Sequence, residues 1–596
     1  MPDPLTVSAP DGGATRFVVG AGAPGLPPGA AARAAASLGP ALLAATLAVA
    51  AQLLGLHGTD QAMQVFMVGQ VRAHGLSVLD TAWYGGVYPM AYSAAFPLIG
   101  ALLGVGGAAV AAGTGAAWAF DRLVTAHFGR RPLGSWYFAA STLVQVGIGE
   151  LPFLCGEAFG LLAVLALVHR RRPAAVALGV VAALCSPLAA AFLAMVCLAW
   201  WAHQLPRATT VGETAGGAGA ARARARRLLA LAAAGLTRRP GALALAAASM
   251  GVVGVLALAF PGTGPFPFTW TELVVVELLC AAVLSPLVAT TSAVRLAVAV
   301  YGVASLVSFL VPNPLGGNAG RLASAVGVPL LACFVSARTP VRPRAATRWR
   351  SYGAVVLVPF AVWQWAPSLS AVRPAHDAPS STAAFFAPLL HHLAATPPAA
   401  SRVEVVPLAD HWEAAYVGAS RLSLARGWER QIDTARNPVF YTPGALTGDS
   451  YRSWLLANGV SWVAMPRVPL AQVDYAGVQE RALLTGGAVP GLTRVWQSSG
   501  WVLWRVDRSP GLVSGPASLR SLEGNTVVLE ARRPGQVVVR LRASRYWSLQ
   551  PAAAGCVGAT ADGWTALQVT RPGRITLHPA VGPARGPSCP APPIGG

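Results

Sequence analysis

The chain has 596 residues, 54% hydrophobic and only 11% charged, with a mean hydropathy of +0.53. A soluble globular protein carries about 25% charged residues, so a wholly soluble fold is excluded. The formal net charge of +21 rests on arginine alone, because the sequence contains no lysine. Much of that arginine lies in short loops between apolar runs, where it orients a membrane protein rather than forming a nucleic-acid surface.

Residues 1–33 are rich in Gly, Pro and Ala and are predicted to be a disordered cytoplasmic N-terminus. The first apolar run, Ala35 to Leu56, is too long for a signal-peptide core and reads as a retained span. Residues 34–370 form a transmembrane core, with spans predicted at 35–56, 104–126, 135–149, 152–168, 173–186, 187–203, 241–260, 272–290, 293–311, 321–337 and 351–370. Ser186-Pro187 divides one long apolar stretch into two short helices, because proline breaks a helix interior. With these eleven spans, several arginine groups fall on one side: Arg130 and Arg131, Arg170 to Arg172, Arg222 to Arg239, and Arg338 to Arg350. That side is the cytoplasm by the positive-inside bias, which places the C-terminal region outside the plasma membrane.

Between spans one and two runs a long segment, 57–95, rich in aromatics. Gln61 to Ala73 within it is amphipathic and is predicted to lie flat on the membrane. Residues 371–510 read as an α/β domain, with strands at Arg402 to Val406 and Ser461 to Met465, a helix at Tyr451 to Asn458, and two strands around Ser498-Ser499-Gly500. Residues 511–585 alternate and are split by Gly and Pro, as in a small β-sandwich, and 586–596 form an irregular tail. Cys556 and Cys589 lie in this outer region, where a disulfide is favoured.

The residues able to carry chemistry cluster at the outer ends of the spans. Asp60, with Gln61 beside it and Gln64 one turn on, suits a general base toward a hydroxyl, a ligand for a divalent cation such as Mg or Mn, or a helix N-cap. Trp83, Tyr84 and Tyr88 flank a Gly-Gly pair and suit either an interfacial belt or a sugar pocket. Glu150 and Glu157, in Gly-Ile-Gly-Glu-Leu-Pro-Phe-Leu-Cys-Gly-Glu, are acids at membrane depth, which are costly unless they function. Asn318 and Arg321 follow Asn313 and Pro-Leu-Gly-Gly, and an arginine there suits a phosphate or an acidic partner. Asp410-His411-Trp412-Glu413 and Arg426 to Gln431 are dense polar–aromatic clusters that read as packing against the membrane core. No GxSxG or Walker motif occurs, which argues against an α/β-hydrolase and against ATP-driven transport.

The order of features resembles the GT-C class of polyprenyl-phosphate-sugar-dependent membrane glycosyltransferases, as found among large actinobacterial membrane proteins. It rests on a first span, a long loop with the early Asp60, a flat helix, Tyr84-Gly85-Gly86-Val87-Tyr88-Pro89, short paired helices and a C-terminal outer domain. The resemblance covers roughly 35–370. It implies a polytopic α-helical fold, a polyprenyl-phosphate-linked sugar donor, a cell-envelope glycan or glycolipid acceptor, membrane lipids as surroundings, and Asp60 as the base. The sequence departs from the family's first-loop acidic pair, since Gln61 follows Asp60. A transporter or flippase of lipid-linked sugars and a non-catalytic envelope scaffold are the rival readings.

Overall fold

The structure is a computed structural model and describes residues 30–203, 240–262, 264–286, 288, 290–335, 343–376, 378–396, 401–471, 476–582 and 588–589. Residues 1–29 of the N-terminus predicted to be disordered fall outside the described residues, as do the arginines at 222–239, 338 and 342, while residues 30–33 begin the first helix.

Each predicted span falls largely on a helix, but the one predicted at 272–290 ends at Leu284, before Ser285-Pro286. In chain order the helices are α1 (Ala30–Leu53), α2 (Gln61–His74), α3 (Pro89–Tyr92), α4 (Phe96–Phe128), α5 (Pro132–Ile148), α6 (Leu151–Val168), α7 (Arg172–Cys185), α8 (Pro187–His203), α9 (Pro240–Ala259), α10 (Trp270–Leu284) and α11 (Ser292–Leu310), followed by α12 (Gly316–Val335) and α13 (Pro343–His376). Among the described residues, six stretches are long and apolar enough to cross a membrane: α4, α6, α9, α11, α12 and Val355–Val372 of α13. The chain is therefore a multi-pass membrane protein. α1, α7 and α8 are shorter apolar helices, so the count of eleven spans does not follow from length and composition alone.

Local signals explain the boundaries. Proline stands in the first turn of α4, α5, α6 and α7, where its missing N–H costs nothing. Ser186 is extended (φ −153°, ψ 113°), as expected before Pro187, and separates α7 from α8. Thr269 and Glu272 close a capping box at the start of α10. α4 is interrupted at Gly104 (φ 76°, ψ 157°), where the sequence placed the start of the second span. The bundle packs through small residues, with Ala44, Ala48 and Ala51 of α1 against Ala108, Ala112 and Ala116 of α4. Small side chains let helix axes approach where lipid offers no hydrophobic drive.

The C-terminal region holds three sheets. The first has order β2-β1-β3-β5-β4, built from β1 (Arg402–Val405), β2 (Ser423–Leu424), β3 (Val460–Pro466), β4 (Leu492–Gln497) and β5 (Trp501–Val506). β2, β1 and β3 are parallel, and β5 and β4 are antiparallel. The other two sheets form a sandwich from β6 (Val513–Ser514), β7 (Ala517–Glu523), β8 (Thr526–Ala531), β9 (Gly535–Arg542), β10 (Trp547–Gln550), β11 (Gly555–Ala559), β12 (Trp564–Val569) and β13 (Gly573–Pro579), ordered β10-β13-β8-β7 and β11-β12-β9-β6. Their inner faces share a core that includes Leu529, Val537, Leu567 and Leu577. Cys556 of β11 and Cys589 form a disulfide.

The segment after α2 is the joint between bundle and sheets. Trp83 stacks on Phe66 of α2 at 4.3 Å, and its indole N–H donates to the Ala414 carbonyl at 3.1 Å. It pairs as a short parallel bridge with Leu424 of β2. A Cβ at Gly427 or Gly418 would run into the indole, so two glycines shape its seat. Thr81 bonds Asn525 and Gly524 of the sandwich, and the Gly85 carbonyl accepts from Arg542. The segment thus lies between both sheet systems. The apolar face of α2 is accordingly covered by protein. Phe66 and Met67 enter the core beneath the first sheet, while Val68 packs against Gly100 of α4. Its apolar face is consumed by protein on two sides.

Trp83→Ala should cost about 3–5 kcal/mol, the usual scale for removing a buried aromatic. The check is a lowered thermal midpoint of the detergent-purified chain, with earlier proteolysis between the bundle and the sheets.

Candidate active site

The site forms where the α1–α2 connection meets the α5–α6 turn. Asp60 donates its backbone N–H to the Ile148 carbonyl at 3.1 Å. A Cβ at Gly58 would strike the Gly147 and Ile148 carbonyls, and one at Gly149 would strike the Gln61 backbone. Gly149 is also left-handed (φ 97°), which lets it end α5 and leads directly into Glu150. Two glycines therefore bring the backbones that carry Asp60 and Glu150 into contact.

Neither carboxylate is used as a helix cap. Asp60 occupies the N-cap position of α2 with helical angles (φ −78°, ψ −15°) and makes no side-chain cap bond. Its Oδ1 accepts from the Thr59 hydroxyl at 3.3 Å. The capping role weighed from the sequence is thus not what the side chain does. Glu150 pairs with Arg321 at 3.2 Å. Arg321 sits in α12 immediately before a π-helical segment, Ala323–Gly327, a distortion that often accompanies functional positions. The Tyr301 hydroxyl holds this turn by donating to Ala319 O and accepting from Ala323 N. Arg321 also lies over the Phe153 ring at 5.8 Å.

Electrostatics set Asp60 apart. Burial, then the Glu150 charge, push its pKa up to about 7, while Arg321, the Thr59 hydrogen bond and His411 oppose the rise. Burial and the Asp60 charge likewise raise the Tyr92 phenol. Tyr92 accepts from Gln64 Nε2 at 3.4 Å and meets Trp428 edge-on at 5.9 Å. Gln61 Oε1, Gln64 Oε1 and His57 Nε2 are buried without a hydrogen-bond partner. Such groups are costly unless a ligand or water meets them.

Beside Phe153 a cavity of about 380 Å³ opens within the bundle, lined among others by Phe120, Phe192, Leu279 and Leu322. Glu157 lies in its wall, two turns along α6 from Glu150. Its Oε2 accepts from Gln145 Nε2 at 2.8 Å, and its Oε1 has no partner.

The structure thus brings together Asp60, Gln64, Glu150 and Arg321. Glu157 is near but faces the cavity. Asn318 is half-buried in the 3₁₀ turn preceding Arg321. Trp83 and Tyr84 are 1% and 2% exposed and belong to the core under the first sheet rather than to an open pocket; the Tyr84 hydroxyl donates to the Glu429 carbonyl. Tyr88 donates to Ser544 and packs on Tyr546 of the sandwich. Tyr92 and the two glycines at the crossing were not assigned to the site from sequence, and His411 was read only as part of a cluster packing against the membrane core. The Gly-Ile-Gly-Glu run held a signal for the crossing, but its partner, Gly58, carries none. Among the described residues no group of three His, Cys, Asp or Glu side chains could hold a metal ion.

No family model matches the chain, and no curated protein matches it. Solved structures of the arabinofuranosyltransferase AftD from Mycobacteria are similar in outline. One superposes with a TM-score of 0.44 at 15% identity, covering 78% of this chain and 40% of that one. Two particle classes of an AftD mutant give 0.43 at 15% identity, covering 80% and 42%, and 0.40 at 12% identity, covering 90% and 59%. The chain spans about half the length of these structures. At that level of superposition the likeness concerns the outline of the fold and carries no chemistry.

Gly149→Ala should cost about 1–3 kcal/mol, because it adds a side chain at a left-handed position against a backbone that cannot retreat. Thermal unfolding of the purified chain measures it, and Gly160→Ala, with open space around it, is the control that should change little.

Proposed function

We propose that the chain is a GT-C-like membrane glycosyltransferase that moves a sugar from a polyprenyl-phosphate donor to a cell-envelope acceptor on the outer face of the plasma membrane. The observation that carries this reading is one arrangement. A carboxylate with a raised pKa that caps no helix stands beside an Arg–Glu pair, and the arginine of that pair lies over Phe153, which lines an apolar cavity within the bundle.

In this reading the polyprenyl chain lies in the cavity and the phosphate meets Arg321, whose guanidinium suits a phosphate oxygen. Asp60 takes the proton of the acceptor hydroxyl as its oxygen attacks the anomeric carbon. The bond from that carbon to the phosphate oxygen breaks, and the lipid phosphate leaves with the electron pair. Glu150 holds Arg321 in place. Gln64 and Tyr92 offer polar contacts to the sugar or acceptor. The Cys556–Cys589 disulfide supports an oxidising, outer location for the sheets. The same cavity, with Glu157 in its wall, is what a flippase would also use, so the assay has to separate the two.

Asp60→Asn should lower transfer by about 10²- to 10⁴-fold, the usual share of a general base. The measurement is transfer by the purified full chain from a polyprenyl-phosphate sugar, alongside restoration of envelope glycans in a strain lacking the gene. Full restoration by the variant would sink the catalytic role, and donor accumulating on the cytoplasmic side of the deletion strain would favour transport. Because the base must be ionised, the rate should climb as pH rises through about 7, and Asp60→Asn should lose that limb.

A further inference from the structure

The residues described so far reach the cleft from the bundle and the first loop. One turn reaches it from the sheet region. Asp410–Glu413 follows β1 and packs on the α1–α2 connection, where the Trp412 ring meets His57 edge-on at 5.5 Å. Two residues further on, Ala414 accepts the Trp83 indole N–H. His411 is therefore held over the connection that carries Asp60.

The turn is built to hold a polar ring there. His411 has a left-handed backbone (φ 57°), a conformation that a non-glycine residue keeps only when its surroundings impose it. Asp410 is pinned by the Ser380 hydroxyl and accepts from the Trp412 N–H at 3.5 Å. Glu413 meets His411 Nδ1 at 3.4 Å. His411, Asp410 and Glu413 are all at most 9% exposed. A turn kept only for packing would more cheaply carry apolar side chains, because buried ionisable groups lose hydration.

Charge balance gives the ring its use. Among the described residues Asp60 and Glu150 face Arg321, and the turn adds the carboxylates of Asp410 and Glu413 beside His411. A phosphate entering there meets an excess of negative charge in a poorly hydrated site, where such repulsion is strong. A second cation would offset it. We propose that the Asp410–Glu413 turn belongs to the cleft and that His411, protonated and held by Glu413, is the second cation for the donor phosphate, approaching it from the sheet side while Arg321 approaches from the bundle. This rests on the glycosyltransferase reading above and assigns the phosphate a further contact.

Burial lowers the His411 pKa, but the Glu413 hydrogen bond and charge, with Asp410 and Asp60, more than offset it, so the net shift is upward. The charged groups facing the ring are Glu413 and Asp410 from its own turn, Asp60 from the α1–α2 connection and Asp433 from the helix Arg430–Arg436; Arg321 and Glu150 complete the floor. Because the net shift is upward, the ring holds its proton to higher pH than a free imidazole and loses it as pH rises, so phosphate binding should weaken on the alkaline side.

The test is equilibrium binding of farnesyl monophosphate to the detergent-purified full chain across pH, in an Asp60→Asn background that removes the other titration. His411→Gln should weaken binding about tenfold at neutral pH, the scale of one charge-assisted hydrogen bond, and flatten the alkaline fall. His411→Arg should bind as tightly as the parent and keep that affinity at high pH. If His411→Gln matches the parent in affinity and pH dependence while Arg321→Gln loses binding, the role of His411 is overturned and the glycosyltransferase reading stands. If both variants match the parent, both readings fall. Should His411→Gln fail to fold, His411→Arg decides, and weak binding by a folded His411→Arg overturns the proposal.

Discussion

Trp83 is the contact on which the rest of the arrangement depends. Its ring is stacked on α2, its N–H is bonded to the turn above, and its faces are cleared by glycines in two separate parts of the sheet region. An indole buried this fully contributes several kcal/mol and has a defined orientation. Because α2 begins at Asp60, seating Trp83 also fixes the height and tilt of the helix that presents the carboxylate. The sheets are consequently a roof fastened to the first loop.

Beneath that roof the cleft combines two kinds of constraint. Steric exclusion acts at the backbone, where Gly58 and Gly149 permit a crossing that any side chain would push apart. Electrostatics act at the side chains. Removing Asp60 from water raises its pKa, the neighbouring acid adds to the effect, and the arginine paired to that acid limits it. A carboxylate poised near neutrality is suited to proton transfer, since it can both take and release a proton at ordinary pH. The apolar cavity lined by Phe153, over whose ring Arg321 lies, supplies a contrasting environment, and the combination suits a ligand with a hydrocarbon body and a charged head.

Much of the helix content was legible because membrane burial imposes a coarse, one-dimensional signal. Apolar runs, prolines in first turns and the Ser186-Pro187 break all act locally, and each observed boundary lies close to one of them. The sandwich strands β9 and β13 alternate buried and less buried positions, and β8 and β12 are short apolar runs, so all four were readable for the same reason. β7 was missed because Ser, Arg and Glu occupy most of it, and only one of its residues is buried. β2 has two residues and exists because β1 and Trp83 lie beside it. What covers the apolar face of α2 was equally beyond the sequence. Amphipathicity reports that a face is covered, and cannot report whether lipid or protein covers it.

The site divides along the same line. Asp60, Glu150 and Arg321 could be named from the sequence, because an ionisable residue at the end of an apolar run is expensive wherever the chain folds. That they meet, and that Glu157 stays apart, was decided by the crossing of two connections nearly ninety residues distant in sequence. Trp83 and Tyr84 show the converse. Their residue types suggested a sugar surface, but burial turned them into the joint between bundle and sheets. The sequence by itself determined that this is a multi-pass membrane protein with acids and an arginine at the ends of its spans, because hydropathy and charge act residue by residue. Only the tertiary structure decided which of those groups share a cleft and which serve packing, because partner choice depends on contacts that have no local trace.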